Sequence, residues 1–380
     1  MYLFYRPDID DVIVRYKDWF NPNGKIRYLV IIVPPEWDSD YYDLYLTKDS
    51  NPPKLLNEYD FKVKNELYEY LDYTISVIIK KYWDIKLKWD IDDDMLPVHR
   101  IRLGYADQVA AIAGIDPIYS GIAQTSYLQP IIKNYKEFYF KNLKFSKESD
   151  WSKIIKEGLE YLLKKAEGKF LVSVPLDCSN PSDLAFEFRG KEIFLDFYDD
   201  PENVHKLLKR CAEESIKYVE YFRTIVPKVD GGYPLAWHGG TWSEREIYEH
   251  DGDNVADQVS KEIFTNFLLP YHNKISEHFG GCIFGREAIS KHLWSEIPNI
   301  KEIKVFAPRS LKNRYEIDGE VLREIIKETG DIPLILESDN FKRFIEYKDI
   351  VKEEGIKTIF TAHCKNSKEA REVLRIVRDM

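Results

Sequence analysis

From about Asp150 to the C-terminus, short apolar runs alternate with longer stretches whose apolar residues recur at helical spacing, the pattern of repeated strand–helix units around a parallel sheet. FLVSVP, from Phe170 to Pro175, predicts a strand, and Asn203 to Arg223 predicts a helix. YPLAWHGG reads as a strand running into a Gly-rich turn. A helix over Ser260 to Phe279 follows, with Ser260 as N-cap and Glu262 favourable in its first turn. GCIFG precedes AISKHLWSEI, and KEIKVFA precedes VLREIIKETG, where Gly330 is placed to stop a helix. IPLILES leads into FKRFIEYKDIVKEEG, and TIFTAHC into a terminal helix opened by Asn366 or Ser367.

These make six strand–helix units, and two more are expected from residues before Trp151. YLVIIV and IKLKWDIDDDMLPVHR are the candidates, the second with its strand ending near Asp92 to Asp94. The chain is therefore expected to be an α/β protein, a (β/α)8 TIM barrel over residues 91–380 with an N-terminal α/β extension over residues 1–90. An open doubly wound sheet competes, but no GxGxxG or GxxxxGK[ST] loop follows any strand-like run.

Composition narrows the function classes. With 380 residues, 44% of them hydrophobic, the chain can bury a large core. No apolar run approaches the ~20 residues that span a bilayer, and the N-terminus has no signal-peptide pattern, so a cytoplasmic protein is expected. A net charge of -10 argues against a nucleic-acid partner and favours solubility; a small-molecule substrate is the expected partner. Four widely spaced cysteines, Cys178, Cys211, Cys282 and Cys364, do not suggest a disulfide framework.

In a parallel barrel the residues that follow each strand gather at one mouth. That rule selects Asp94, Asp177 with Cys178, Trp237 with His238, Cys282 with Arg286 and Glu287, Glu337 with Asp339, and His363 with Cys364. Titratable groups placed there cost stability unless paired or solvated, which points to a working site. Asp94, His238 and His363 are the catalytic candidates; Asp177, Trp237, Asp251, Asp253 and Arg286 are the substrate-binding ones. Asp92 to Asp94 also reads as a solvated turn, and the HDGD run at His250 to Asp253 suits a metal or a turn equally. Cys211 falls in a helical apolar stripe and reads as core. Cys282 and Cys364, each at a strand-like run, fit a shared zinc ion with Glu337 or His363 completing the set, or two unrelated buried thiols.

Several segments resemble the uroporphyrinogen decarboxylase superfamily, which includes cobalamin-dependent methyltransferases acting with coenzyme M. PSDLAFEFRGKEIFLDFYDDPENVHKLL is similar to that family's helix ending in Arg-Gly before an Asp and a Pro-Glu helix. HDGDNVADQVSKEIFTNFLLPYHNKISEHFGG resembles its Asp-rich turn, Ser-capped helix and Pro-Tyr helix. DDMLPV resembles the decarboxylase segment whose Asp contacts pyrrole nitrogens, which implies that role for Asp94. AHCKNSKEAREVL resembles the last strand and helix, where a decarboxylase His and a methyltransferase Cys fall near His363 and Cys364. The decarboxylase's Arg-Gln-Ala-Gly-Arg-Tyr segment is absent, and the methyltransferases' His-x-Cys-Gly is replaced by Cys282, Ile283, Phe284 and Gly285. The resemblance implies methyl transfer through a zinc-activated thiol, with a corrinoid protein as methyl donor. Cofactor-free decarboxylation of a porphyrinogen-like or other carboxylated substrate is its second implication, and a non-catalytic small-molecule-binding barrel its third.

Overall fold

A computed structural model describes residues 2–35, 54–120, 125–136, 140, 143–175, 180–236, 240–244, 248–250, 254–309 and 317–380, the side chains of 248–250 and 286–290 excepted. Six strands run parallel in one sheet: β1 (Tyr28–Val33), β2 (Tyr248–His250), β3 (Cys282–Glu287), β4 (Ile303–Arg309), β5 (Leu334–Ser338) and β6 (Thr358–His363). Their spatial order is β1-β6-β5-β4-β3-β2, so the first strand sits against the last. The chain is thus a mixed α/β protein built on a parallel sheet. YLVIIV, a candidate for one of the two early strands, forms β1 of this sheet.

The helices that follow these strands start where the side chains dictate. Asp318, Asn340 and Asn366 each accept a backbone N–H from the first turn of the helix they open, at 2.9, 2.9 and 3.1 Å. Gly330 and Gly355 end two of them with φ of 69° and 70°, a left-handed turn that a side chain disfavours. The helices pack on one face of the sheet: Phe344 meets Phe360 on β6 at 5.5 Å, and His272 meets Phe284 on β3 at 5.4 Å.

Three expectations change. IKLKW is not a strand but the end of a helical run, Asp84–Trp89. Tyr82, Trp83 and Lys86 of this run are buried at helical spacing while Leu87 stays 39% exposed, so the apparent alternation marks no buried face. The strand that follows is only Val98–His99, which pairs in parallel with Leu171–Val172. Asp92 to Asp94 therefore precede a strand rather than end one. YPLAWHGG gives Tyr233–Leu235, which turns back in an antiparallel pair with Thr241–Ser243. The helix expected over Ser260 to Phe279 widens at Phe264–Leu268, just before Pro270, whose ring crowds the preceding turn and whose nitrogen donates no hydrogen bond.

Beyond its pairing with β6, β1 has a second edge, which is closed by side chains. The Val30 amide donates to Asp94 Oδ2 at 2.8 Å and the Ile32 amide to Asp93 Oδ2 at 2.7 Å. The Asp94 amide donates to the Val30 carbonyl at 2.8 Å, and Tyr82 Oη–H donates to the Ile32 carbonyl at 3.2 Å. The two carboxylates thus act as a surrogate strand between β1 and the segment entering Val98–His99.

Candidate active site

At the C-terminal ends of β5 and β6, His363 Nε2 lies 2.8 Å from Glu337 Oε1. The register pairs Glu337 with Thr361 and Ser338 with Ala362, so Glu337 and His363 lie two residues apart in level, and alternation puts both on the sheet face opposite Phe360. That face carries Leu29, Ile31, Ile335, Ile359 and Ala307, all buried, beneath the polar pair. Carrying the Phe306–Leu334 pairing three residues onward brings Arg309 of β4 level with Glu337. The face is therefore an apolar floor with a carboxylate, an imidazole and a guanidinium strand position at its open end.

The side chains of His363 and Glu337 are 14% and 32% exposed, enough for a ligand to reach them. A carboxylate only accepts, so this contact puts a proton on His363 Nε2 and leaves Nδ1 as the base, or as the acid in the imidazolium. Glu337 orients the ring, the arrangement used for proton transfer.

Asp94 lies elsewhere. It is fully buried, accepts from Arg15 Nε at 2.5 Å, and is clasped by both terminal nitrogens of Arg378 at 3.0 Å. Its role as a ligand-facing carboxylate is corrected: its acceptor sites are taken by Val30, Arg15 and Arg378. Asp93 is likewise engaged, by Lys86 and Arg6.

The zinc pair is also corrected. Cys282 opens β3 and pairs with Ile303, whereas Cys364 follows the end of β6, its amide donating to Val33. Phe284, Phe306, Leu334 and Thr358 share one level, which puts the cysteines eight residue steps apart along the strands. At ~3.3 Å per residue that is roughly 26 Å, so no ion at about 2.3 Å from each sulfur can be shared. Burial pushes both thiols up to about 12, which favours the neutral form. Glu337, the proposed third ligand, is held by His363. Among the described residues, no group of three or more His, Cys, Asp or Glu side chains is placed to hold a metal. The residues present do not fit the implied zinc.

Asp177, Trp237, His238, Asp251 and Asp253 lie outside the described residues, as does the side chain of Arg286. Of the named candidates, the structure brings together Glu337 and His363. It also reveals a junction that the sequence reading passed over. Asp183 Oδ2 accepts from Asn180 Nδ2 at 2.8 Å, Asn254 Nδ2 at 3.2 Å and Tyr105 Oη at 3.4 Å, while its Oδ1 accepts the Val255 amide at 3.3 Å. One 3%-exposed carboxylate thereby ties together the segments around residues 105, 180 and 254. The signal was present in N-P-S-D, where Asn180 caps a helix begun by Pro181 and leaves Asp183 in its first turn.

No protein-family model, curated protein or solved structure matches the chain. Among the described residues no helix is long and apolar enough to cross a membrane.

Proposed function

We propose that the chain is a cytoplasmic enzyme of the uroporphyrinogen decarboxylase type, a closed (β/α)8 barrel that performs cofactor-free acid–base chemistry on a small carboxylated substrate. The observation that carries this reading is the His363–Glu337 contact of 2.8 Å at the C-terminal ends of neighbouring parallel strands. Closure is supported by the burial of Ile31, Ile335 and Ile359 on the face away from Phe344, and by the carboxylate bridge from β1 toward Val98–His99. A reducing compartment suits the buried free thiols of Cys211, Cys282 and Cys364.

In this reading the imidazolium of His363 gives a proton to the carbon that loses carboxylate. The C–C bond breaks, its electron pair ends in the new C–H bond, and CO2 leaves. Glu337 holds the ring, and Arg309 offers a cation for the substrate's carboxylate. The other branch of the resemblance, methyl transfer from a corrinoid protein through a zinc-bound thiol, has less support because Cys282 and Cys364 stand at opposite ends of the sheet.

The test is a titration of the protein, labelled at its histidine rings, with small mono- and dicarboxylates, followed by NMR. The reading expects saturable shifts of the His363 ring that disappear in Arg309→Gln. It fails if carboxylates move other histidines and leave His363 unchanged.

A further inference from the structure

We infer that a second, separate ligand site lies between the N-terminal segment and the helix Asp84–Trp89, and that it takes a small organic cation with an apolar body and an oxygen acceptor. A cavity of about 400 Å³ opens there, within the range of small-molecule sites. Its inner wall is apolar: Trp83, Ile91 and Met95 are buried, and Pro7 and Pro97 complete it. Tyr5 stands beside Trp83 with ring centroids 5.2 Å apart.

The charges sort into used and unused. Arg6 pairs with Asp8 at 3.1 Å and with Asp92 at 3.2 Å, and Lys86 pairs with Asp93. Asp90 lines the same cavity and has no ion pair or side-chain hydrogen bond with the described residues. Both lining cations are thus neutralised within the protein, while a carboxylate is left over at the rim. The second observation is polar and buried. Trp83 is 2% exposed, and its indole N–H finds no acceptor. A buried donor without a partner costs free energy that a ligand oxygen would recover. The rim carboxylate selects a cation, the aromatic rings favour an apolar body near that charge, and the indole N–H selects an acceptor on it.

Tyramine carries all three features; 3-(4-hydroxyphenyl)propionate has a similar shape and the opposite charge. Calorimetric titration of the full chain with each tests the site. The expected result is one-to-one binding of tyramine, weakened by salt, with no detectable heat from the propionate. Asp90→Asn should weaken tyramine about threefold, the scale of one exposed ion pair, without harming the fold, because Asn tolerates the left-handed conformation (φ 51°) that Asp90 adopts. Trp83→Phe keeps a ring, removes the N–H, and should also weaken binding about threefold or more. The inference is overturned if tyramine does not bind, if the propionate binds as tightly, or if both variants bind tyramine like the parent protein.

Discussion

Asp94 accepts the Val30 amide at 2.8 Å and thereby closes the outer edge of the first strand with a side chain. The same carboxylate pairs with Arg15 and Arg378, so one residue links the helix Ile9–Phe20, the strand β1 and the helix Ser367–Arg378. Asp94→Asn keeps an acceptor for Val30 but takes the buried carboxylate from two guanidiniums, leaving Arg15 with the exposed Asp92 at 3.4 Å and Arg378 with a backbone carbonyl at 3.4 Å.

Asp94→Asn is therefore expected to lower stability by roughly 2 to 4 kcal/mol, discounted from a fully buried pair because Arg15 and Arg378 are partly exposed. Asp92→Asn, whose side chain is 68% exposed, should cost less than about 1 kcal/mol. Urea unfolding midpoints read both, and equal effects would contradict the ion-pair tie that Asp94 makes to Arg15 and Arg378.

The cysteines give a second expectation. With Cys282 and Cys364 buried and their thiols pushed up to about 12, the native protein should resist alkylation by iodoacetamide at about pH 8 at both positions, while the unfolded protein is labelled throughout. Cys282→Ser should leave the metal content of protein purified without chelator unchanged. Rapid native labelling of Cys364, or zinc lost with Cys282, would restore a thiolate site.

Acid stability carries a signature of His99. Burial first, and then the neighbouring Arg100 charge, hold its imidazole at about 3 against an ordinary 6.5. The folded protein thus refuses a proton that the unfolded chain accepts below about pH 6.5. The stabilisation is complete above that pH and is lost progressively down to about pH 3, amounting to about 2 kcal/mol by pH 5. His99→Gln removes the titration and should flatten the fall in stability between about pH 6.5 and pH 5. An unchanged slope there would show that His99 is not held neutral.

The later half of the fold was legible because its local signals agree. Val321 to Gly330 has helical spacing, an Asp cap and a Gly stop, and the helix Gly319–Thr329 forms there. Thr358 to His363 is short and apolar before an Asn cap, and it forms a strand. In the early half Tyr28 to Val33 was legible as a strand, but the segment before Asp92 was not, because Ile85, Leu87 and Trp89 alternate like a strand while burial is decided by Tyr82, Trp83 and Lys86 of a helix begun far upstream. Of the site, His363 and Glu337 followed from their place after apolar runs. Cys282 did not, since its run begins at the cysteine and extends the strand to Glu287, leaving the thiol at the wrong end. Asp94 was misread for a related reason: the strand expected before it comes after it, and its partners Arg15 and Arg378 are distant in sequence.

The most direct test of the central claim is the initial rate of CO2 release from a panel of small carboxylic acids and carboxylated porphyrinogens, compared among the parent protein, His363→Asn and Cys282→Ser. The account predicts that His363→Asn lowers the rate by about a hundredfold or more with an unchanged melting temperature, while Cys282→Ser keeps it. A rate that survives in His363→Asn, or one that is lost in Cys282→Ser while the protein stays folded, would contradict it.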